Sequence, residues 1–449
     1  MGCHFPNAQN PAEFWANLLA GRSSIEELPP DFWHRPASPE MSSFADLQGA
    51  IDPNVPSTPP SWAGRITPRS SSQFSDLWPD GMTQTLDPGS VELLSIFAET
   101  LQDAGYGVGD WRGESVGLFV STGVTFAPGL AAQLFGWRGP SLVLNATDSA
   151  SLGALHLACQ SLRSGECRAA IVAGLHLLEA GQLPASWAAA KLLSPDGQHR
   201  AFDAAAKGAV LGEGCGALLL RPLSQAIAQG DRIYAVIESS VIAQDSSPFG
   251  LPLPTVTGQQ RVIEQAWARS GLDPAALGYL EAHGLATPLS DPVELKALSQ
   301  AIRQHTTATQ FCAIGCVKSN IGHLFSAAGI ASLIKTALIL HHGQIPPTLH
   351  CDHPHPRLNL EQSPFFVARQ AQPWPSQHPI RRAAVSSFGL DGSNSHAILR
   401  DFSPMAAVAS ELQIPQEPQS RSAPVAAGRS IASSYPALLS FRELTFSKT

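Results

Sequence analysis

The residues able to do chemistry gather in four short stretches. The first is Ser141 to Cys167, SLVLNATDSASLGALHLACQSLRSGEC. Its apolar run Leu142 to Leu144 gives way to a tight polar turn, Asn145-Ala146-Thr147-Asp148-Ser149. A helical pattern follows, with Leu152, Leu155, Ala158 and Leu162 spaced by three and four. Many enzymes hold a nucleophile where a strand turns sharply into a buried helix. Backbone N–H groups and the helix dipole stabilise negative charge there. Here the turn carries the carboxylate of Asp148. Ser149 and Ser151 are candidate substitutes, but Ser149 lies one residue past the turn and suits a helix cap better. Ala150, Ser151, Gly153 and Ala154 are small, so another element must approach this helix closely.

The second stretch, EAHGLATPLSDPVEL, carries His283. The third, VKSNIGHLFSAAGIASLIK, carries Lys318, Asn320 and His323. The fourth, FGLDGSNSH, runs from Phe388 to His396. A histidine just past a strand end can serve as acid, base or N–H donor near neutral pH. Taken singly, such a residue is more often a hydrogen-bonded structural one. Cys312 and Cys316 flank a strand without a further Cys or His pair at ligand spacing, so no metal centre is expected. Gly212-Glu213-Gly214 is a turn and not a phosphate loop, because the wider nucleotide patterns are absent.

The elements that must position these stretches alternate. A helix is expected over 11–20, with Asn10 as its cap and Gly21 at its end. Residues 36–80 are rich in Ser and Pro and read as an irregular surface excursion. Leu86-Asp87-Pro88 opens a helix over 89–104. Strands are expected over 116–122, 169–174 and 217–220, then over 233–239, 277–282, 312–317 and 383–387. Helices are expected over 258–270, 291–303 and 327–342. This alternation argues for an α/β architecture, and the similar order of the two halves suggests a duplicated unit. The halves are residues 1–225 and 226–402. A tail follows over 403–449, whose Tyr435 to Phe446 piece could dock as an ordered end.

Composition narrows the function classes. The chain has 449 residues, 14% charged and 44% hydrophobic, enough to bury one large core or two medium ones. Lys plus Arg number 28 against 36 for Asp plus Glu, a net charge of −8 that favours solubility. No basic block stands out, so nucleic acid is not an expected partner. No uninterrupted apolar run reaches about 18 residues, so no membrane span is expected. MGCHFPNAQN lacks the basic and apolar regions of a signal peptide and the residue pattern for myristoylation. Seven scattered cysteines make no disulfide framework, which suits a reducing, cytoplasmic setting.

The four stretches together resemble the motifs of the beta-ketoacyl synthase (ketosynthase) family, the condensing enzymes of polyketide and fatty-acid synthesis. Leu144 to Leu152 stands where the family reads close to VDTACSSSL, and Asp148 occupies the place of its acyl-accepting cysteine. The second stretch is similar to EAHGTGTPLGDPIEL. The third matches the family almost letter for letter, and the fourth answers to FGFGGTNAH. Ala201 to Gly214, AFDAAAKGAVLGEG, is close to AFDARADGYVRGEG. The likeness spans roughly residues 5–402. The family's first strand has only Met1 to His4 left here, so it is expected to be missing or trimmed.

The resemblance implies a thiolase-like fold, a five-layer αβαβα sandwich of two pseudo-equivalent halves. It implies no bound cofactor and action on phosphopantetheine-linked acyl groups of an acyl carrier protein. Expected partners are that carrier, other polyketide synthase or β-branching enzymes, and a second copy in a homodimer. His283 and His323 would stabilise the enolate of a malonyl thioester. Lys318 would set local geometry and charge, Phe388 would gate the pocket, and the backbone N–H groups of Asp148 and Leu390 would form an oxyanion hole. Asn320 would support them.

The carboxylate of Asp148 could form only a mixed anhydride, which water hydrolyses, so condensation is not expected. Loss of CO2 from a malonyl group needs no cysteine. Family members with glutamine (loading modules) or serine (free-standing enzymes of β-branching cassettes) in its place are decarboxylases. The expected reaction is therefore decarboxylation of malonyl-acyl carrier protein to acetyl-acyl carrier protein. The alternative is a non-catalytic partner, like the chain-length-factor subunits, although retention of both histidines favours the enzyme. Two effects compete at Asp148: N-terminal helix donors would keep it ionised, and burial beside a malonyl carboxylate would keep it protonated.

Overall fold

The computed structural model describes residues 1–29, 31–34, 60–69, 86–123, 128–145, 147–178, 187, 192–245, 254–375, 380–389 and 391–402. The Tyr435 to Phe446 piece and most of the 36–80 excursion lie outside the described residues. Elements of the first half are β1 (Gly2–His4), α1 (Pro11–Leu19), β2 (Ile25–Glu27), β3 (Trp62–Gly64), α2 (Pro88–Asp103), β4 (Val116–Thr122), α3 (Pro128–Phe135), β5 (Ser141–Leu144), α4 (Ala150–Ser164), β6 (Ala169–His176), β7 (Leu211–Gly212) and β8 (Gly214–Leu220). The second half has α5 (Leu223–Gln229), β9 (Val236–Gln244), α6 (Val256–Ser270), β10 (Leu277–Glu281), α7 (Ser290–Arg303), β11 (Cys312–Gly315), α8 (Lys318–Ile321), α9 (Ala328–His342), β12 (Gln344–Ile345), β13 (Phe365–Val367), β14 (Gln372–Pro373), β15 (Arg382–Phe388) and β16 (Ser393–Arg400).

Two large sheets carry the body. One has the order β1-β8-β6-β4-β5, the other β13-β11-β10-β15-β16-β9. In the first, β5, β4 and β6 are parallel, and β8 and β1 follow antiparallel. In the second, β11, β10 and β15 are parallel, and β16 and β9 follow antiparallel. The same run of directions in both halves is the duplication that the order of elements suggested. Parallel strands are buried on both faces and read as continuous apolar runs. VGLFVST of β4 does so, with all seven residues buried.

Helices α4 and α9 form the middle of the core. Every residue from Ala328 to Leu340 is buried, as a helix apolar on all sides must be. Phe325–His342, although interrupted by Ser, Lys, Thr and His, is long and apolar enough on average to cross a membrane by composition. Its burial of 78% within the protein identifies it as a core helix. The small residues of α4 make room for it. Ser151 Oγ accepts the Ile330 N–H at 3.0 Å, and a Cβ added at Gly329 would lie 2.8 Å from that oxygen.

Several boundaries differ from expectation. The first strand is present: Gly2, Cys3 and His4 pair with Ala217, Gly216 and Cys215. The Met1 amine anchors its start on Asp103 at 2.7 Å. Within the 36–80 excursion, Trp62–Gly64 is a strand between β2 and β7. Strand β9 begins at Val236 and runs to Gln244, because β16 pairs along it from Arg400↔Val236 to Ser393↔Gln244. Strand β6 continues two residues past Gly174, to His176.

Candidate active site

Asp148 sits on a 3-10 turn, Thr147–Ser149, between β5 and α4. The β15–β16 hairpin clasps this turn. Ser387 Oγ donates to the Asp148 carbonyl at 2.6 Å, Thr147 Oγ1 donates to Asp391 at 3.1 Å, and the Ser149 and Ser393 hydroxyls meet at 2.5 Å. Ser149 holds the cap position of α4 but makes no side-chain capping bond, contrary to the expected role. The Asp148 side chain is buried, and among the described residues neither of its oxygens accepts a hydrogen bond. Burial raises its pKa to about 7; the Lys318 charge opposes this and the Asp391 charge adds to it. Of the two competing effects, burial prevails, because no helix donor reaches the carboxyl.

His283 follows β10 in a loop held by two buried acids. The N–H groups of His283 and Gly284 donate to Glu294 at 2.7 and 2.8 Å. Asp291 accepts from Ala286 at 2.9 Å and from Phe202 at 2.7 Å. Lys318 Nζ donates to the His283 carbonyl at 2.5 Å, and His199 Nε2 lies 2.8 Å from the Gly284 carbonyl. Lys318 is buried at the start of α8, so it acts on the loop through this bond and on the site through its charge.

His323 leaves the end of α8. Its N–H donates to Val210 O at 2.7 Å and its carbonyl accepts from Gly212 at 2.9 Å. Its Nδ1 accepts the Phe325 N–H at 3.0 Å. That bond assigns the ring proton to Nε2, which lies 3.5 Å from an Asp148 oxygen. The rings of His283 and His323 are 5.6 Å apart, and Phe388 lies 6.1 Å from His283. Burial, then the Lys318 charge, holds both imidazoles well below the usual histidine pKa, so both are neutral. A cavity of about 30 Å³ opens beside His283, Leu285, Phe388 and Asn394.

Not every expected residue joins this cluster. The Asn320 side-chain amide donates to Arg22 O at 3.0 Å, and its backbone carbonyl accepts from the Ser24 N–H at 2.7 Å, so it ties α8 to the segment after α1. Leu390 lies outside the described residues, and so does any oxyanion hole built on it. All seven cysteines are buried, and none lies on the turn; Cys167 sits past the far end of α4, bonded to Ser161.

Asp148, His283 and His323 each offer one ligand atom within 4.8 Å of the others. This is the donor set of a two-histidine, one-carboxylate metal centre. The His323 tautomer tells against an ion there. A metal-bound Nε2 needs the ring proton on Nδ1, and Nδ1 already accepts the Phe325 N–H.

Two residues of the site were missed from the sequence. His176, at the end of β6, has a buried Nε2 without a partner and a ring 4.7 Å from Phe325. Burial lowers its pKa to about 4 against the opposing pull of Asp148. Ending the strand at Gly174 hid it. Asp391 is the second; it replaces a glycine of the family motif, and that departure was the available signal.

Residues 1–127 and 123–226 match the family described as beta-ketoacyl synthase, N-terminal domain. Residues 234–352 match its C-terminal domain. The chain is 35% identical over 455 residues to Polyketide synthase PksL of Bacillus subtilis (strain 168), covering 90% of this chain and 10% of that one. It is 35% identical over 435 residues to Polyketide synthase GfsA of Streptomyces halstedii, covering 89% of this chain and 6% of that one. It therefore spans about a tenth or less of the length of these two relatives. Among solved structures, the ketosynthase from module 6 of the bacillaene synthase from Bacillus subtilis 168 superimposes with a TM-score of 0.79 at 32% identity, covering 89% of this chain and 71% of that one. The oxazolomycin ketosynthase domain from Streptomyces albus JA3453 gives 0.78 at 33%, covering 90% and 73%. The fold is thus thiolase-like, and the chain belongs to the beta-ketoacyl synthase family, as a ketosynthase of the polyketide synthase kind.

Proposed function

We propose that this ketosynthase decarboxylates malonyl-acyl carrier protein to acetyl-acyl carrier protein without condensing it, supplying starter or β-branching units. The observation that carries this reading is a pair of neutral, buried histidines around an acid that replaces the thiol. His323 Nε2–H is a fixed donor, and the His283 ring lies 5.6 Å away. A malonyl thioester on a carrier's phosphopantetheine arm would seat its carbonyl oxygen between them. Loss of CO2 leaves the C–C electron pair in an enolate, and its oxygen gains the charge that these N–H donors stabilise. One such donor in a dry site contributes about 3 kcal/mol. Neutral imidazoles suit this role, because they hold the oxyanion without protonating it.

With its pKa raised to about 7, Asp148 is protonated below neutral pH, where it does not repel the substrate carboxylate. Without a thiolate no acyl-enzyme forms, which separates this reaction from condensation. The protein acts with no bound cofactor, and the seven free thiols suit a reducing cytoplasm. A homodimer fits the exposed edge strand β5, whose Leu142 and Val143 are 45% and 41% exposed.

Intact-mass analysis of malonyl-loaded carrier protein tests the reaction. Carrier incubated with the protein should lose the mass of one CO2, and carrier alone or with His323→Ala should not. Unchanged mass with every carrier tried would assign the chain to the non-catalytic partner class instead.

A further inference from the structure

We infer that His199 is a positioning residue for the two histidines of the site, a bridge that fixes the spacing between their backbones. The inference takes its purpose from the decarboxylase reading and its substance from a chain of hydrogen bonds that stands without that reading.

An enolate oxygen shared by two N–H donors needs both in place beforehand, because such donors act by preorganisation. His283 and His323 come from separate loops, one after β10 and one after α8, so something must register one against the other. His199 does this from the segment before β7. Its side chain is wholly buried. Its Nε2 lies 2.8 Å from the carbonyl of Gly284, the residue after His283. Its Nδ1 accepts the Val210 N–H at 3.3 Å. The Val210 carbonyl in turn accepts the His323 N–H at 2.7 Å. One imidazole thus joins the loop of His283 to the residue on which the His323 backbone rests.

The bridge works in one protonation state. A backbone N–H can only donate, so Nδ1 is the acceptor and the ring proton sits on Nε2, facing the Gly284 carbonyl. Burial pushes the His199 pKa down to about 3, although the Gly284 carbonyl favours the charged form. The ring is therefore neutral around pH 7, with one donor and one acceptor. A turn holds it from both sides, where Asp196 accepts from Ser194 Oγ at 3.0 Å and from Arg200 Nη1 at 2.8 Å. The Gly208 N–H also donates to the Ala286 carbonyl at 2.8 Å, so the two segments keep a connection when His199 is replaced. That tie lies farther along the chain from both histidines, which leaves His199 as the more direct link.

Two variants separate positioning from general support. His199→Leu offers neither donor nor acceptor, and His199→Gln restores both on one planar amide. Rates are read by intact mass on malonyl-loaded carrier protein. His199→Leu should lower kcat on the order of 10²-fold, the effect of displacing reacting groups by about 1 Å, and leave KM for the carrier unchanged. His199→Gln should recover most of the loss. A structural role alone would lower the denaturant midpoint and spare the kcat of the folded protein. That result, a change confined to KM, or a glutamine variant as slow as the leucine one would overturn the proposal.

A second readout needs no substrate. NMR of the histidine ring nitrogens in the parent should show His199 neutral with its proton on Nε2. A proton on Nδ1 or a charged ring overturns the bridge, even where neither variant folds. The ring signals of His283 and His323 should move in His199→Leu and return towards the parent positions in His199→Gln. Signals unmoved in His199→Leu overturn it as well. A parent that passes these NMR tests but never decarboxylates sinks the function reading alone.

Discussion

At the scale of single residues, Asp148 sets both the chemistry and a stability cost. Its pKa rises from 3.8 to about 7 on burial. Between those values the folded state binds more protons than the unfolded one, so stability falls as pH rises. The penalty is absent below 3.8 and complete above about 7, on the order of 4 kcal/mol for roughly three units. Asp148→Asn keeps the shape and cannot ionise. Unfolding free energies of parent and variant from denaturant titration should therefore agree near pH 4 and differ by a few kcal/mol near pH 8, the variant being more stable. A gap independent of pH would mean that the carboxyl is solvated. The parent's decarboxylation should also decline as pH rises through about 7, as its proton is lost. The motifs made Asp148, His283 and His323 legible as a group. Burial was not legible, because it depends on the β15–β16 hairpin closing over the turn from more than two hundred residues away. His176 was lost with the end of its strand, since a half-buried terminal residue breaks the apolar run.

At the scale of elements, the site depends on how closely α4 and α9 approach. The small residues at the start of α4 foretold a close neighbour, and periodicity located both helices, but nothing in either pattern named the pair. The contact becomes specific at Gly329. A Cβ there would lie 2.8 Å from Ser151 Oγ and 3.1 Å from the Leu152 backbone nitrogen. Gly→Ala inside a helix gains up to about 1 kcal/mol in propensity. Overpacking a buried contact costs typically 1–3 kcal/mol, and a backbone atom cannot step aside. Gly329→Ala should therefore lower the denaturant midpoint and misplace the Asp148 turn, which ends two residues before Ser151. A variant as stable as the parent would show that the helices separate freely. Strand boundaries were the least legible feature here: β9 is defined by its pairing with β16, and a partner in another part of the chain leaves no local period.

At the scale of the whole molecule, alternation indicated an α/β architecture and the matched halves a duplicated unit, because parallel strands need helices on both faces, while the layered sandwich came from the family resemblance. What covers the outer edges was not legible. Among the described residues, strand β5 closes its sheet with β4 as its neighbour on one side. Its sequence, SLVL, carries no charge or proline, the usual guards of an open edge. Side chains alternate along a strand, so Leu142 and Val143 point to opposite faces, and both are exposed. A second copy placing its own β5 alongside would cover them and satisfy the open backbone groups. Sedimentation velocity at micromolar concentration should give a dimer for the parent, and the Leu142→Lys, Val143→Lys double variant should run as a folded monomer. A parent that sediments as a monomer would remove the homodimer. A variant that stays dimeric would move the interface to another face.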